Sequence, residues 1–327
     1  MAAQSVWLKV LSAVLILGAA SSAFAAGALD YPNRPIRMIV PHPAGGGNDI
    51  LARWLAQKMI AETGHPVIVD NRGGGNTIIA TDITSKAAPD GYTMILTSST
   101  HSVIPGFYAK LPYDPTKDFD AVALIARASP ILVVHPSVPA TNVKELIMWI
   151  KSKPGGVNFG SSGISGSGHL AMELFKNRTG LNLNHIPYKG MAPLLTDIVG
   201  GHALLMFGNL APTLPHVKSG KLRVLATAGA KRSPLMPEVP TVAESGIPGF
   251  QVSPYFGVLG PAKMPKAVVA KMNADIGRIF ALPDSRERLS ALGFDPAAMT
   301  PEQFMALIKT EMEKWAVLIR ENNISMK

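Results

Sequence analysis

Ile36-Arg37-Met38-Ile39-Val40-Pro41-His42-Pro43-Ala44-Gly45-Gly46-Gly47-Asn48-Asp49-Ile50-Leu51-Ala52-Arg53 is the stretch that decides how the rest of the chain is read. Ile36 to Val40 has the short apolar length of a buried strand, whereas Ile50, Leu51, Trp54, Leu55 and Met59 recur at helical spacing. Between them lies a glycine loop, with Asn48 as the expected N-cap. Gly45, Gly46 and Gly47 carry no side chain, so backbone N–H groups at the positive end of a helix can approach an anion directly. A tight strand-to-helix turn that binds nothing fits the same residues. No lysine follows as in a phosphate-binding P-loop, and the glycines do not keep the dinucleotide-binding spacing.

Outward from this loop the unit repeats. Thr63-Gly64 is a helix stop, Pro66 to Val69 a second strand, and Asn71 to Asn76 a second glycine loop. A helix over Ile78 to Ala88 and a Pro89-Asp90-Gly91 turn lead to a third strand, Tyr92 to Leu96, which runs into Thr97-Ser98-Ser99-Thr100-His101. Strands alternating with helices imply a parallel sheet, with ligands beyond the carboxyl ends of its strands. Ala121 to Val134 is strand-like apart from Arg127-Ala128-Ser129-Pro130, and a new rhythm follows His135-Pro136, which suggests a crossing into a second domain. There Asn142 and Glu145 resemble a capping box. Val157-Asn158-Phe159 leads into a third small-residue loop, Gly160 to His169, ahead of a helix over Leu170 to Arg178.

The same alternation continues through Leu183 to Tyr188, Ala192 to Val199, Ala203 to Phe207 with Gly208-Asn209, and Lys221 to Thr227. Pro234 to Pro254 reads as the return connection and Tyr255 to Leu259 as a strand rejoining the first domain. Three closing helices, about 265 to 281, 284 to 292 and 301 to 321, are expected to pack on that first domain. The fold class expected is α/β, in two domains: 26–128 with 254–327, and 129–253. Two crossings between them make one hinge.

Residues 1–25 read as an export leader. Lys9 is their one charge, Val10 to Ala20 is apolar, and Ala23-Phe24-Ala25 fits the small-x-small pattern, so cleavage after Ala25 is expected. A retained N-terminal anchor is the alternative, although the run is shorter than the roughly 20 residues a spanning helix needs. The mature protein is expected to be exported and soluble. The chain has no cysteine, which excludes disulfides, a lipid-modified cysteine and thiolate metal sites. Hydrophobic residues make up 47% and charged residues 16%, a composition that excludes disorder. The formal charge of +9 suits anionic solutes, nucleic acid or a membrane surface. No basic run exceeds Lys231-Arg232 and aromatics are only 6%, so nucleic acid is set aside.

Catalytic and metal chemistry are poorly supplied. The serine-rich loop contains no Gly-x-Ser-x-Gly elbow and no nearby carboxylate to orient a histidine. Ser161 and Ser167 read better as ligand hydroxyls. His169 could serve as a base or simply be a polar residue in the first turn of a helix. The eight histidines are too far apart in sequence for a local metal pair. Asp49 either balances the helix dipole or holds the glycine loop, and Trp54 and Trp149 read as core.

Tyr31-Pro32-Asn33-Arg34-Pro35-Ile36, the Pro43 to Arg53 loop, Asp90-Gly91-Tyr92-Thr93, Leu111-Pro112-Tyr113-Asp114-Pro115 and Pro187-Tyr188-Lys189-Gly190 together resemble the Bug family, the periplasmic solute-binding proteins of tripartite tricarboxylate transporters. The resemblance runs in order through the whole mature chain. It implies a hinged, two-domain periplasmic binding fold of the type II, Venus-flytrap kind. Such a fold closes on a small carboxylate held by main-chain amides, hydroxyls and waters. No catalysis, cofactor or metal is implied. The partners it implies are the membrane subunits of the transporter, or a sensor protein, and a monomer is expected.

Carried onto this chain, the implied first-domain contacts are Ala44, Gly45, Gly46, Gly47, Asn48 and Asp49, with Ser99, Thr100 and His101. From the second domain come Ser161, Ser162, Gly163, Gly166, Ser167, Gly168 and His169, together with Tyr188 and Asn209. Three departures stand out: Asn48 where the family often has threonine, Gly208 where it often has aspartate, and no proline in the Arg72 to Asn76 loop. The missing acid at 208 leans the expectation toward plain carboxylates and away from amino acids. A periplasmic enzyme using Ser161 or Ser167 with His169 is the alternative.

Overall fold

The structure, a computed structural model, describes residues 31–325; the leader expected over residues 1–25 lies outside the described residues. Two sheets form, and each is built around a parallel trio. In the first, β1 (Ile36–Val40) lies between β2 (Val67–Asn71) and β3 (Thr93–Ser98), and β1 pairs in parallel with both. In the second, β6 (Val157–Ser161) lies between β7 (Leu183–Pro187) and β8 (Leu205–Gly208), again in parallel. Apart from the half-buried Arg37, which pairs with Asp70, β1 is apolar because it is covered on both faces, with Met38, Ile39 and Val40 fully buried.

Each trio is extended by an antiparallel strand that arrives from the other half of the chain. β4 (Phe119–Ala128) closes the first half. The chain then crosses at Ser129-Pro130 into β5 (Ile131–Val134), which pairs antiparallel with β8 and with β9 (Arg223–Thr227). After the proline-rich return, β10 (Tyr255–Pro261) inserts antiparallel between β3 and β4. The strand orders are therefore β2-β1-β3-β10-β4-β11 and β7-β6-β8-β5-β9, with β11 (Phe294–Pro296) a short edge strand that the hydrophobic pattern did not signal.

The helices follow the expected punctuation with local corrections. α1 (Gly47–Thr63) ends at Gly64, whose φ of +72° and N–H to the Ile60 carbonyl form a glycine C-cap. α2 (Ile78–Ser85) and α3 (Thr100–Val103) flank β3. α4 (Val143–Lys151) is capped by Asn142, whose side chain accepts from the Glu145 N–H, but Glu145 reaches back to Thr141 rather than completing a box with Asn142. α5 (Ser167–Thr179), α6 (Met191–Val199) and α7 (Leu210–Lys218) cover the second sheet, while α8 (Lys266–Ala281) and α9 (Pro283–Ala291) return to the first.

α10 (Pro301–Glu321) departs from expectation. Its N-terminal half buries Phe304 and Ile308 with the first sheet's residues, including Tyr255, as foreseen. Its C-terminal half buries Trp315, Leu318 and Ile319 in the core of the second sheet, among Phe159, Phe175 and Phe207. The Lys314 ammonium donates to the Gln251 carbonyl, and the Asn177 amide to Asn322. A helix of 21 residues is about 30 Å long, enough to reach across both units. Among the described residues, no helix is long and apolar enough to cross a membrane.

Candidate functional site

Two helices begin alike. α1 follows the central strand of the first trio and α5 the central strand of the second, and both have a glycine N-cap, Gly46 and Gly166, with no side-chain cap. The first intrahelical bonds come from Ile50 to Gly46 and from Leu170 to Gly166. The N–H groups of Gly47, Asn48 and Asp49, and of Ser167, Gly168 and His169, therefore lack intrahelical partners. Each set sits where the helix dipole is positive, at the carboxyl end of a central parallel strand. The expected Asn48 cap is thus corrected: Asn48 lies inside the first turn, buried, and its amide donates to the Leu96 carbonyl of β3 at 3.0 Å.

Asp49 holds the first loop. Its carboxylate accepts from Gly45 N–H (2.9 Å), from the Arg53 guanidinium (3.0 Å) and from the Asn71 amide (3.0 Å). Burial pushes this carboxyl up, but those three donors outweigh it and hold the group below its ordinary range. Of the two roles weighed for Asp49, loop-holding is the one with contacts behind it, and the Gly45 N–H is spent on it. Gly45 has φ +86°, a conformation that glycine tolerates, whereas Gly46 is extended with φ −79° and a Cβ there would meet little beyond the Pro43 carbonyl at 3.7 Å. Ala44 is exposed at the tip.

Between the two units lies a cavity of about 70 Å³ lined by Ser98, Ser99, Thr100 and Phe256 from the first and by Ser165, Ser167 and Leu170 from the second. Val103, Glu311 and Trp315 of the neighbouring helices, with Val252 and Pro254, complete it. Ser98 and Thr100 share a hydrogen bond (3.1 Å), and the Ser99 hydroxyl accepts from Tyr255 N–H (2.7 Å), so the strand end is tied to β10. Phe256 joins this cavity to the glycine loop, because its ring lies 3.3 Å from where a Cβ on Gly47 would stand.

Other expected contacts are placed elsewhere. His101 is fully buried on the far side of its helix, edge-on to Phe119, with Nε2 at 2.8 Å from the Pro115 carbonyl. Burial pushes its pKa down to about 4 against the opposing pull of that carbonyl. Gly168 is a packing glycine: a Cβ there would stand 2.2 Å from the Phe207 carbonyl oxygen, so its bareness lets α5 sit on β8. Ser161 is completely buried and pairs with His185, and His169 lies behind the loop. Ser162 and Gly163 are half-buried in the loop itself. The Tyr188 hydroxyl donates to Asp197 at 2.8 Å. Asn209 is exposed at the start of α7, and a Cβ on Gly208 would press on Met206 Cε (2.8 Å) and Thr213 Oγ1 (3.0 Å).

Residues 51–324 match the family described as the tripartite tricarboxylate transporter family receptor. The chain belongs to that receptor family. It is 37% identical over 299 residues to BugT of Bordetella pertussis, covering 91% of this chain and 92% of BugT. Among solved structures, an R. palustris protein with adipate is 32% identical with a TM-score of 0.81, over 90% of this chain and 99% of that one. MatC from Rhodopseudomonas palustris with bound malate is 29% identical with a TM-score of 0.75, over 88% and 100%. The α/β fold with two sheets is that of periplasmic binding proteins, as expected. Ser98, Ser165, Phe256, Glu311 and Trp315 line the cavity without having been among the residues expected from the sequence. Ser165 had a signal, lying inside the glycine-serine loop, whereas Phe256, Glu311 and Trp315 reach the cavity only through the long-range packing of β10 and α10.

Proposed function

We propose that this receptor captures a small organic di- or tricarboxylate between the N-termini of α1 and α5 and presents it to the membrane subunits of a transporter. The observation that carries the reading is the duplication itself: two glycine-capped helices without side-chain caps, each at the end of a central parallel strand. Relatives solved with adipate and with malate support the carboxylate class. The hydroxyls of Ser98, Thr100 and Ser167 add neutral donors without a fixed charge. The cavity is well below the ~300–1,000 Å³ of small-molecule pockets, so a solute such as adipate extends from it toward Gly47, or the two units part to admit it.

The two domains are 26–128 with 254–327, and 129–253, hinged at Ser129-Pro130 and near Pro254, with the C-terminal half of α10 docked on the second, in a protein exported by a leader over residues 1–25. The reading includes no catalytic step. Ser161 is fully buried, its histidine neighbour is His185 rather than His169, and the family is one of solute-binding proteins. No metal or cofactor is assigned, and among the described residues no cluster of three or more histidines and acids is disposed to hold an ion.

Calorimetric titration with adipate, malate and succinate tests the reading. Gly46 accepts a side chain without backbone strain, so Gly46→Val screens the amides of α1 without loosening the turn. Affinity is expected to fall at least about tenfold, the loss of roughly one charge-assisted hydrogen bond, with the thermal midpoint unchanged. Unchanged affinity in the mutant would remove α1 from the site.

A further inference from the structure

Phe159 and Ser161 stand two residues apart on β6 and so share one face of the second sheet, and the parallel register sets His185 of β7 beside Phe159. α5 covers that face and brings in His169 and, one turn later, Glu173. Three nearly parallel rings result. Phe159 and His185 are 4.8 Å apart at 19°, and His185 and His169 are 4.0 Å apart at 19°. Ser161, His169 and Glu173 are buried and His185 is half-buried, directly behind the loop of residues 162–166.

The hydrogen bonds assign the protons. Ser161 has one hydroxyl hydrogen, which goes to the Gly163 carbonyl at 3.1 Å, while the Gly163 N–H returns to the same oxygen at 3.4 Å. The 2.6 Å contact between Ser161 Oγ and His185 Nε2 is then made by Nε2–H donating. His169 Nδ1 accepts from Ser165 N–H at 3.4 Å, so the proton of a neutral His169 is on Nε2, which faces Glu173 Oε1 at 3.9 Å. Ser165 is the residue of this loop held at φ +68°, a strained conformation for a side-chain-bearing residue. Each end of the loop is therefore tied back to one ring of the pair.

We propose that the stacked pair of His169 and His185 is the brace that holds the loop of residues 162–166 in its carboxylate-accepting shape, with His185 a positioning residue acting through Ser161. This rests on the reading of the α5 N-terminus as a carboxylate site. The charged and titratable groups beside the pair are Glu173 and Lys176 of α5, and His185 itself acts on His169. A proton on either ring would set a cation 4.0 Å from its neighbour, and one on His169 would take away the acceptor for Ser165 N–H. Burial favours the uncharged rings.

Long-range proton–nitrogen correlation spectra of the whole ¹⁵N-labelled protein at pH 7 test the brace without a ligand: both rings are expected uncharged with the proton on Nε2. His185→Phe keeps a flat ring and removes the donor. Amide exchange at Gly163 and Ser165 is expected to quicken at least tenfold in it, with α1 unmoved, and the adipate Kd to rise at least tenfold. Ser161→Ala should do the same, the double variant no more than either alone, and His185→Gln, whose amide reaches the place of Nε2, should recover most of the affinity. A charged His185, one protonated only on Nδ1, or unchanged exchange in His185→Phe would overturn the brace. If wild type binds neither adipate nor malate, the carboxylate reading falls, while the tautomers and the exchange still decide the brace.

Discussion

Gly46 and Gly168 both read in the sequence as bare positions beside an anion, and the structure gives them different tasks. Gly46 is an extended N-cap with space above it, whereas the missing Cβ of Gly168 is what lets α5 approach the Phe207 carbonyl. Gly168→Ala is therefore expected to cost about 1–3 kcal/mol, the range for overpacking a filled contact. The denaturant midpoint should fall, with binding lost only as folding is lost. A Gly168→Ala protein as stable as wild type would show that α5 is free to shift. What the sequence showed at this scale was composition, glycines and hydroxyls at strand ends. It could not show direction, because whether Ser161 or Ser167 faces the cavity depends on the strand's pleat and on the turn that starts α5. His169 and His185, 16 positions apart with no local motif, meet only because β7 pairs in register with β6.

The strands and helices were largely legible because their periods differ and the chain punctuates them with Gly64, Pro89-Asp90-Gly91 and Pro154-Gly155-Gly156. β11 was not, being three residues long and partly exposed, and α10 was misassigned in part because apolar spacing marks a face without naming what it faces. The helices and loops that bury histidine give the fold a pH dependence. Burial pushes His101 down to about 4, His169 to about 3 and His185 to about 4, from an ordinary 6.5. Between those values and 6.5 the unfolded chain binds protons that the folded chain refuses, so stability falls as pH falls through this window. For the fully buried His101 the loss is on the order of 3 kcal/mol at the acid end. Carboxylates held low by their donors, Asp114 at about 2 among them, add to the loss only below the ordinary carboxylate range. Urea unfolding at pH 7.5, 6.0 and 5.0 should give falling stabilities, with a shallower slope for His101→Gln. A flat profile would mean that these rings take up protons in the folded state.

At the scale of the whole molecule, two sheets of matching strand order exchange one antiparallel strand each, and α10 is anchored in both cores. The sequence carried the two-part plan because the crossings fall at breaks in its rhythm, Ser129-Pro130 and the proline-rich return before Tyr255. It carried nothing of the clamp by α10, which closes the back of the cavity with Glu311 and Trp315. On the proposed reading, motion of the two units on a ligand is confined to what the crossing strands and α10 permit, and a carboxylate is to be met from two sides by helix N-termini. A crystal structure of the protein with adipate, or with whatever acid it retains through purification, addresses this most directly. The result expected is a carboxylate with oxygens within about 2.7–3.2 Å of N–H groups in the first turns of both α1 and α5. A ligand bound through only one of those helices, or seated away from both, would contradict it.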